Sequence, residues 1–382
     1  MRGKNVKYYK KLLDGKDKPE GEKYRTVNEQ KEDEKEITIE EVERQIRKLK
    51  KEKAPGGDGI TNEVWMYGSE RVIARVVEIM NRIWKGKGFS LQWRGGIIIP
   101  IYKKGSREET KNYRGITLLS TMYKVYAMVI GERLKSELEE KKILPDSQGG
   151  FREGRGTIDN VYILNHLIEK EIKKKLGKMY ALFVDLRAAF DSVDRKKLWE
   201  CMREKGISER LVRRIEEIYS ETKNRVRVNG KESEYFWNEK GVRQGCPLSS
   251  TLFTIYISEI VEMFKRAQAG GVVIGKEKVW CLAYADDMVF LSNKERGMKK
   301  IIKNAERYIR KKKLEVNTEK TKMVIFKKGG RRAKEIEWKW EGKRIKQKKQ
   351  IKYLEYIFNE RNTSRVHVKE MVRKANKVLG IV

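Results

Sequence analysis

The segment Trp280-Cys-Leu-Ala-Tyr-Ala-Asp-Asp-Met-Val-Phe-Leu291 constrains the fold of this chain more than any other. Two adjacent carboxylates, Asp286 and Asp287, lie between two apolar runs of strand length and strand composition. The pattern predicts a β-hairpin with both aspartates at its tip. Asp-Asp is not a favoured turn dipeptide, since tight hairpin turns select Asn-Gly or Asp-Gly. Two like charges side by side on an apolar ribbon repel each other, and a bound cation removes that cost. Taken alone, the pair reads first as an acidic turn facing water.

A second carboxylate changes the weighing. Met179-Tyr-Ala-Leu-Phe-Val184 is an apolar run of buried-strand type that ends abruptly at Asp185, 101 residues before Asp286. Strand interiors disfavour unpaired carboxylates, so Asp185 is a helix N-cap, a salt-bridged group or a ligand. If its strand and the hairpin are neighbours in one antiparallel sheet, three carboxylates converge on one edge. That is what two divalent ions require to clamp the attacking and leaving oxygens of an in-line phosphoryl displacement. Magnesium suits oxygen ligands and takes the rest of its shell from phosphate and water. On these residues alone the candidates are a nucleotidyl transferase and a two-metal nuclease.

Charge points to the same class of partner. The 382 residues carry 89 Lys and Arg against 55 Asp and Glu, a net charge of +34. A surplus of that size calls for an anionic partner, and a polyphosphate backbone is the commonest. The basic residues run along the whole chain rather than along one amphipathic helix, which disfavours a membrane surface. Mean hydropathy is −0.73, yet apolar residues reach 39% and recur periodically, so the chain is globular with a wet surface. Three cysteines without paired spacing and two histidines exclude a disulfide scaffold and a Cys- or His-based zinc site. No signal-peptide core or membrane-spanning window is found, so the expected location is an intracellular, reducing compartment, with nucleus and cytoplasm not distinguished.

In chain order, residues 1–36 read as a charged lead-in or linker. Thr38 and Glu41 form a capping-box pattern opening a helix to Lys50, and a second helix spans Arg71 to Trp84. Ile97–Tyr102 is a strand, and a helix runs to about Glu140. The loop Gln148–Gly156 holds four glycines, which let a ligand approach closely, and two arginines; it also reads as a flexible basic turn. Helices are expected over Thr157–Lys175 and 208–222, and Asn229-Gly230 is a hairpin turn. Pro247 opens a helix to about Lys265. Ile351–Phe358 is expected as one further strand, and 365–379 as an amphipathic helix. From Lys327 to Lys352 there are 12 basic and 3 acidic residues, interleaved with Trp338 and Trp340. The tryptophans suit either a surface lying along nucleic acid or ordinary sheet core.

The ordered set Asn112–Ser120, Gln148–Gly156, Phe183–Asp191, Gly241–Ser250, Tyr284-Ala-Asp-Asp287, Asn317–Lys322 and Tyr353-Leu354 resembles the reverse transcriptase domain of non-LTR (LINE-type) retrotransposons, and more distantly that of group II intron proteins. The resemblance covers residues 40–382. It implies an α+β right-hand polymerase with helical fingers over 37–178 and an antiparallel palm sheet over 179–330, with a fingers-like insertion around 206–240. Primer-grip-like strands over 331–364 follow, then a truncated thumb beginning at 365–382. It implies an RNA-directed DNA polymerase using two Mg²⁺ ions, with Mn²⁺ as a substitute, and acting with an RNA template, a DNA primer or target DNA, and deoxynucleoside triphosphates.

Carried over position by position, Asp185, Asp286 and Asp287 are the metal-binding catalytic carboxylates. Phe190 stands where the family places a bulky side chain against the sugar of the incoming nucleotide, where a ring would clash with a 2′-hydroxyl. Arg152 and Arg155 match the fingers arginines near triphosphate or template, and Gln244 and Gly245 match the loop beside nucleotide and template. Lys320 matches a lysine that assists the leaving pyrophosphate, with Lys322 a competing assignment. Three positions depart from the pattern: Glu355 stands where glycine is common, Gly115 where proline is, and Gly150 where alanine is. A chain ending where the thumb begins, with negative charge at the primer grip, also reads as a catalytically inactive, truncated nucleic-acid-binding protein. The nuclease reading loses ground, because Phe190 and the Gln244 loop have no use in hydrolysis.

Overall fold

A computed structural model describes residues 2–16, 35–329 and 336–380. Residues 17–34, half of the expected lead-in, lie outside that description. The chain divides into two compact units, Met1–Ile143 with Phe190–Leu252, and Leu144–Ala189 with Phe253–Val382.

In the first unit, strand Gly95–Tyr102 pairs antiparallel with Tyr113–Leu118 and parallel with Lys223–Val228. The latter folds back through Asn229-Gly230, both at positive φ, onto Lys231–Glu232. This is the turn that Asn-Gly specifies. Helices Glu70–Trp84, Thr121–Glu140 and Glu209–Tyr219 bury Met80, Tyr126, Ile130 and Ile215 completely. The capping box at Thr38 and Glu41 forms as expected, but its helix stops at Ile46 rather than Lys50. Residues 2–16 are not the loosely ordered lead-in expected from their charge. Arg2–Leu12 is a helix, and Tyr9 and Leu13 are buried with Ile98, Val226 and Phe236. The lysines disguise an apolar stripe, Val6, Tyr9 and Leu13, at helical spacing.

The second unit is built on a six-stranded sheet ordered Trp338–Trp340, Lys343–Gln347, Lys322–Lys327, Lys178–Val184, Asp287–Ser292 and Cys281–Tyr284. The central strand Lys178–Val184 is buried at every position after the first. A strand covered on both faces must be apolar throughout, which explains its unbroken run. One face packs Ala181, Phe183, Val289 and Val324 against Leu164, Leu167 and Ile168 of helix Thr157–Lys173. Beyond the sheet, helix Glu295–Lys311 buries Met298, Ile301, Ala305 and Tyr308. Trp338 and Trp340 are 1% and 2% exposed, so they are sheet core and do not face nucleic acid. Lys339, Lys343 and Arg344 between and beside them face water.

Two expectations are corrected here. The helix after Pro247 comes in two pieces, Ser249–Ile257 and Ile260–Arg266. The single strand expected over Ile351–Phe358 is a hairpin, Gln350–Tyr353 against Tyr356–Asn359, turning at Leu354-Glu355. Both turn residues have positive φ, 45° and 66°, a conformation that favours Asn-Gly and penalises side chains such as Leu and Glu. Nothing in Leu-Glu announces it. Glu355→Gly is expected to raise the unfolding midpoint by about 2 °C, read by thermal denaturation, because relief of the left-handed backbone outweighs the lost ion pair to Lys352.

Candidate active site

Pairing in the second unit brings the distant carboxylates together. Strands Lys178–Val184 and Asp287–Ser292 are antiparallel neighbours with Met288 opposite Val184. One residue further along each strand lie Asp287 and Asp185. The hairpin turn itself is Ala285-Asp286, since Tyr284 pairs with Asp287. Both aspartates were expected at the tip; Asp287 instead opens its strand. Asp185 is anchored by its backbone: its N–H donates to Thr321 Oγ1 at 3.1 Å and its carbonyl accepts from Asn317 N–H at 2.8 Å. The segment Asn317–Lys322 thus buttresses the end of the central strand.

The electrostatics of this edge suit a cation. Asp185 Oδ2 is buried and accepts no hydrogen bond, and the Lys320 ammonium stands 3.7 Å from it. Asp287 is exposed as a residue and lines the cleft at this edge. Its pKa is raised to about 6, first by dehydration and then by the charges of Asp286 and Asp185. A divalent ion at this edge would neutralise all three. Among the described residues no three His, Cys, Asp or Glu side chains make a ready-made metal cage. An ion that keeps water and phosphate in its shell does not need one.

Asp185, Asp287 and Lys320 line a cavity of about 450 Å³ whose other walls include Thr157, Met288, Lys352, Tyr353 and Glu355. Lys320 therefore reaches Asp185, whereas the Lys322 ammonium turns to the Glu319 carbonyl. Glu355 is paired with Lys352 at 2.6 Å and with Lys374 at 3.6 Å, which offsets the negative charge that its position brings to the cavity rim. Arg152 and Arg155 sit in the Gly-rich loop and both pair with Asp146 Oδ1, at 3.7 and 3.4 Å. Arg152 also donates to the Pro145 carbonyl, so it holds the loop's shape in this state.

Phe190, Gln244 and Gly245 belong to the first unit, where they form a second constellation. The Phe190 carbonyl accepts from Val242 N–H at 2.8 Å. Gln244 donates from Nε2 to Asp191 Oδ2 at 2.5 Å and accepts at Oε1 from Arg114 Nε at 3.2 Å. Its backbone carbonyl accepts from Thr117 N–H at 2.7 Å. Gly245 has φ +128°, and a Cβ there would meet the Thr117 carbonyl oxygen at 2.4 Å, so only glycine fits. Burial pushes the Asp191 carboxyl up to about 7, against the Gln244 hydrogen bond and the charges of Arg114 and Lys103. Sequence reasoning assigned no role to Asp191 or Arg114. The available signal was a carboxylate directly after the aromatic residue at a strand-to-helix turn.

A family model described as reverse transcriptase (RNA-dependent DNA polymerase) matches residues 101–358, which contain Asp185, Asp286, Asp287, Phe190, Gln244 and Lys320. The chain belongs to the reverse transcriptase family. Its fold is accordingly the mixed α/β reverse-transcriptase polymerase fold, and its family is one of nucleotidyltransferases that normally use a divalent metal. The probable RNA-directed DNA polymerase from transposon BS of Drosophila melanogaster is 28% identical over 358 residues, covering 88% of this chain and 37% of that protein. The transposon TX1 uncharacterized 149 kDa protein of Xenopus laevis is 28% identical over 257 residues, 67% of this chain and 19% of that one. A polyprotein from the type-1 retrotransposable element R2 of Popillia japonica is 26% identical over 75% of this chain and 39% of its own length. These relatives are proteins of transposons and retrotransposable elements, one of them a probable RNA-directed DNA polymerase, and this chain spans about a fifth to two fifths of their length. The telomerase of Candida tropicalis, truncated from its C-terminal domain, aligns with a TM-score of 0.49 at 16% identity, over 79% of this chain and 60% of that one.

Proposed function

We propose that this chain extends a DNA primer on an RNA template, the primer 3′-hydroxyl attacking the α-phosphate of a deoxynucleoside triphosphate. The observation that carries the reading is the strand register that sets Asp185 beside Asp287, both lining one cavity, with Asp185 Oδ2 buried and accepting no hydrogen bond. Asp185, Asp286 and Asp287 would hold two Mg²⁺ ions, or Mn²⁺ in their place. A divalent ion at such an edge supplies charge neutralisation for the oxygens of an in-line phosphoryl displacement. No side chain acts as covalent nucleophile; positioning and preorganised charge do the work.

In this reading Lys320, beside Asp185 and half in solvent, meets the departing pyrophosphate. Phe190 walls off the 2′ position of the incoming sugar. Gln244 and Gly245, with Arg114 behind them, contact the nucleotide and template, and Arg152 and Arg155 release Asp146 to bind phosphate bidentately. The second unit supplies the palm, and the hairpin at Tyr353–Tyr356 the primer grip. The net charge of +34 supports nucleic acid as the partner. An inactive nucleic-acid-binding chain would use that charge but leaves the carboxylates without a purpose.

The test is product direction. End-labelled oligo(dT) on poly(rA), incubated with the chain, Mg²⁺ and dTTP, is expected to lengthen and to stay intact when dTTP is withheld. A primer that shortens without dTTP would overturn the transferase reading in favour of hydrolysis.

Asp287 gives a pH signature. Its carboxyl holds a proton more tightly folded than unfolded, so without metal this group's contribution to stability falls as pH rises from about 4 to about 6. Cation binding relieves the charged form alone. Mg²⁺ is therefore expected to raise the unfolding midpoint more at about pH 7.5 than at about pH 5, measured by thermal denaturation.

A further inference from the structure

The hairpin that carries Asp286 is held in a strained state. Ala285, the first of its two turn residues, has φ +59°, where glycine is the natural occupant. Such a conformation persists only when its surroundings over-determine it.

Those surroundings are a buried polar network from two other segments of the same unit. Gln148, 2% exposed, accepts at Oε1 from Ala285 N–H at 3.2 Å and from Gly150 N–H at 3.0 Å. The backbone beside it runs along the hairpin's first strand, with Gly149 N–H donating to the Ala283 carbonyl and Ala283 N–H to the Ser147 carbonyl, both at 2.9 Å. Asn160, 4% exposed, donates from Nδ2 to the same Ala283 carbonyl at 3.0 Å and to the Tyr353 hydroxyl at 3.4 Å. Tyr353 is a wall of the cavity that Asp185 and Asp287 line. The glycines of this loop do permit a close approach, but the partner is the hairpin: a Cβ on Gly150 would lie 2.3 Å from Ala285 N.

Buried amides that meet backbone donors and acceptors at fixed geometry are costly to leave unmade, so they resist small shifts of the turn. Residues one step behind a metal-binding carboxylate set its orientation in the same way as the partners of a metal-bound histidine. We propose that Gln148 and Asn160 are positioning residues that lock the Ala285-Asp286 turn in its cation-binding geometry and couple it to the strand bearing Tyr353. The inference rests on the carboxylates being the polymerase's metal site, as argued above.

The test uses Gln148→Met, which keeps the side-chain volume and removes the acceptor, and Gln148→Asn, which keeps the amide but withdraws it by one methylene. Mn²⁺ binding is titrated by electron paramagnetic resonance, and single-nucleotide extension is measured on poly(rA)/oligo(dT). Expected is a loss of about 10- to 100-fold in Mn²⁺ affinity and in kcat, with a higher Mg²⁺ requirement and unchanged primer–template affinity. A general loss of folded protein would lower the apparent kcat without moving the metal requirement. Should the methionine variant not fold, the asparagine variant decides. Mn²⁺ affinity and metal requirement within twofold of wild type would overturn the proposal. If wild type extends no primer, the polymerase reading fails by itself, and the Mn²⁺ titration still judges the role of Gln148.

Discussion

Asp286→Asn is expected to lower the rate of primer extension by about 10³-fold or more while leaving the chain folded. Asparagine keeps the size and hydrogen-bonding shape of the side chain but cannot carry the charge on which cation binding depends. Two observations separate this from a folding defect. Asp286 sits in a two-residue turn outside the strand pairs, so the ladder from Tyr284 to Asp287 does not depend on its carboxylate. Asp286 also contributes to raising the Asp287 pKa, so removing its charge relieves the neighbour. The variant should therefore be at least as stable as wild type in metal-free buffer at about pH 7.5, and dead in extension. Stability and activity moving in opposite directions is the mark of a site held under like-charge repulsion for use. Thermal denaturation and single-turnover extension on the same preparation check both halves. Extension within tenfold of wild type would remove Asp286 from the metal site.

The second large effect concerns sugar selection. Phe190→Val is expected to reduce discrimination against ribonucleotides by about 10- to 100-fold, mostly through a gain in kcat/KM for UTP and not through a loss for dTTP. The backbone of Phe190 is fixed by Val242 N–H, and the next residue, Asp191, is bonded to Gln244. The Cα–Cβ bond that aims the ring is thereby held in place, whereas valine leaves room for a hydroxyl. Competition between dTTP and UTP on poly(rA)/oligo(dT) measures the ratio directly. An unchanged ratio would mean that Phe190 is only a packed side chain.

Much of this architecture was legible in the residues because it is written in period and composition. The run Met179–Val184 is apolar at every position, which only a strand covered on both faces tolerates, and Asp185 at its end stood out for that reason. The hairpin at 281–292 showed itself by two apolar runs around a charged break. Pairing the two was a conjecture that only the register settles, since sequence carries no direct signal for which strands are neighbours. Other features were hidden for identifiable reasons. The turn at Leu354-Glu355 contains neither glycine nor asparagine, so a hairpin looked like one strand. The N-terminal helix buries only one narrow stripe beneath a lysine-rich surface, so its charge masked its packing. Gln148 stands among glycines and arginines, and a lone glutamine in such a loop reads as solvated; its burial depends on a hairpin 137 residues away. Tryptophans among lysines left two readings open, nucleic-acid surface or sheet core; on a strand alternate residues face opposite ways, and here the rings are the inner set.

Copying of RNA into DNA at the edge formed by Asp185, Asp286 and Asp287 is the activity proposed for this chain. It is tested most directly by giving the wild-type chain a heteropolymeric RNA template, a short annealed DNA primer, all four deoxynucleoside triphosphates and Mg²⁺, and sequencing the products. Extension products complementary to the template at each position are expected, and none when the metal is chelated. No extension in Mg²⁺ or Mn²⁺ by a folded chain that binds the primer–template, or extension without regard to the template, would contradict it.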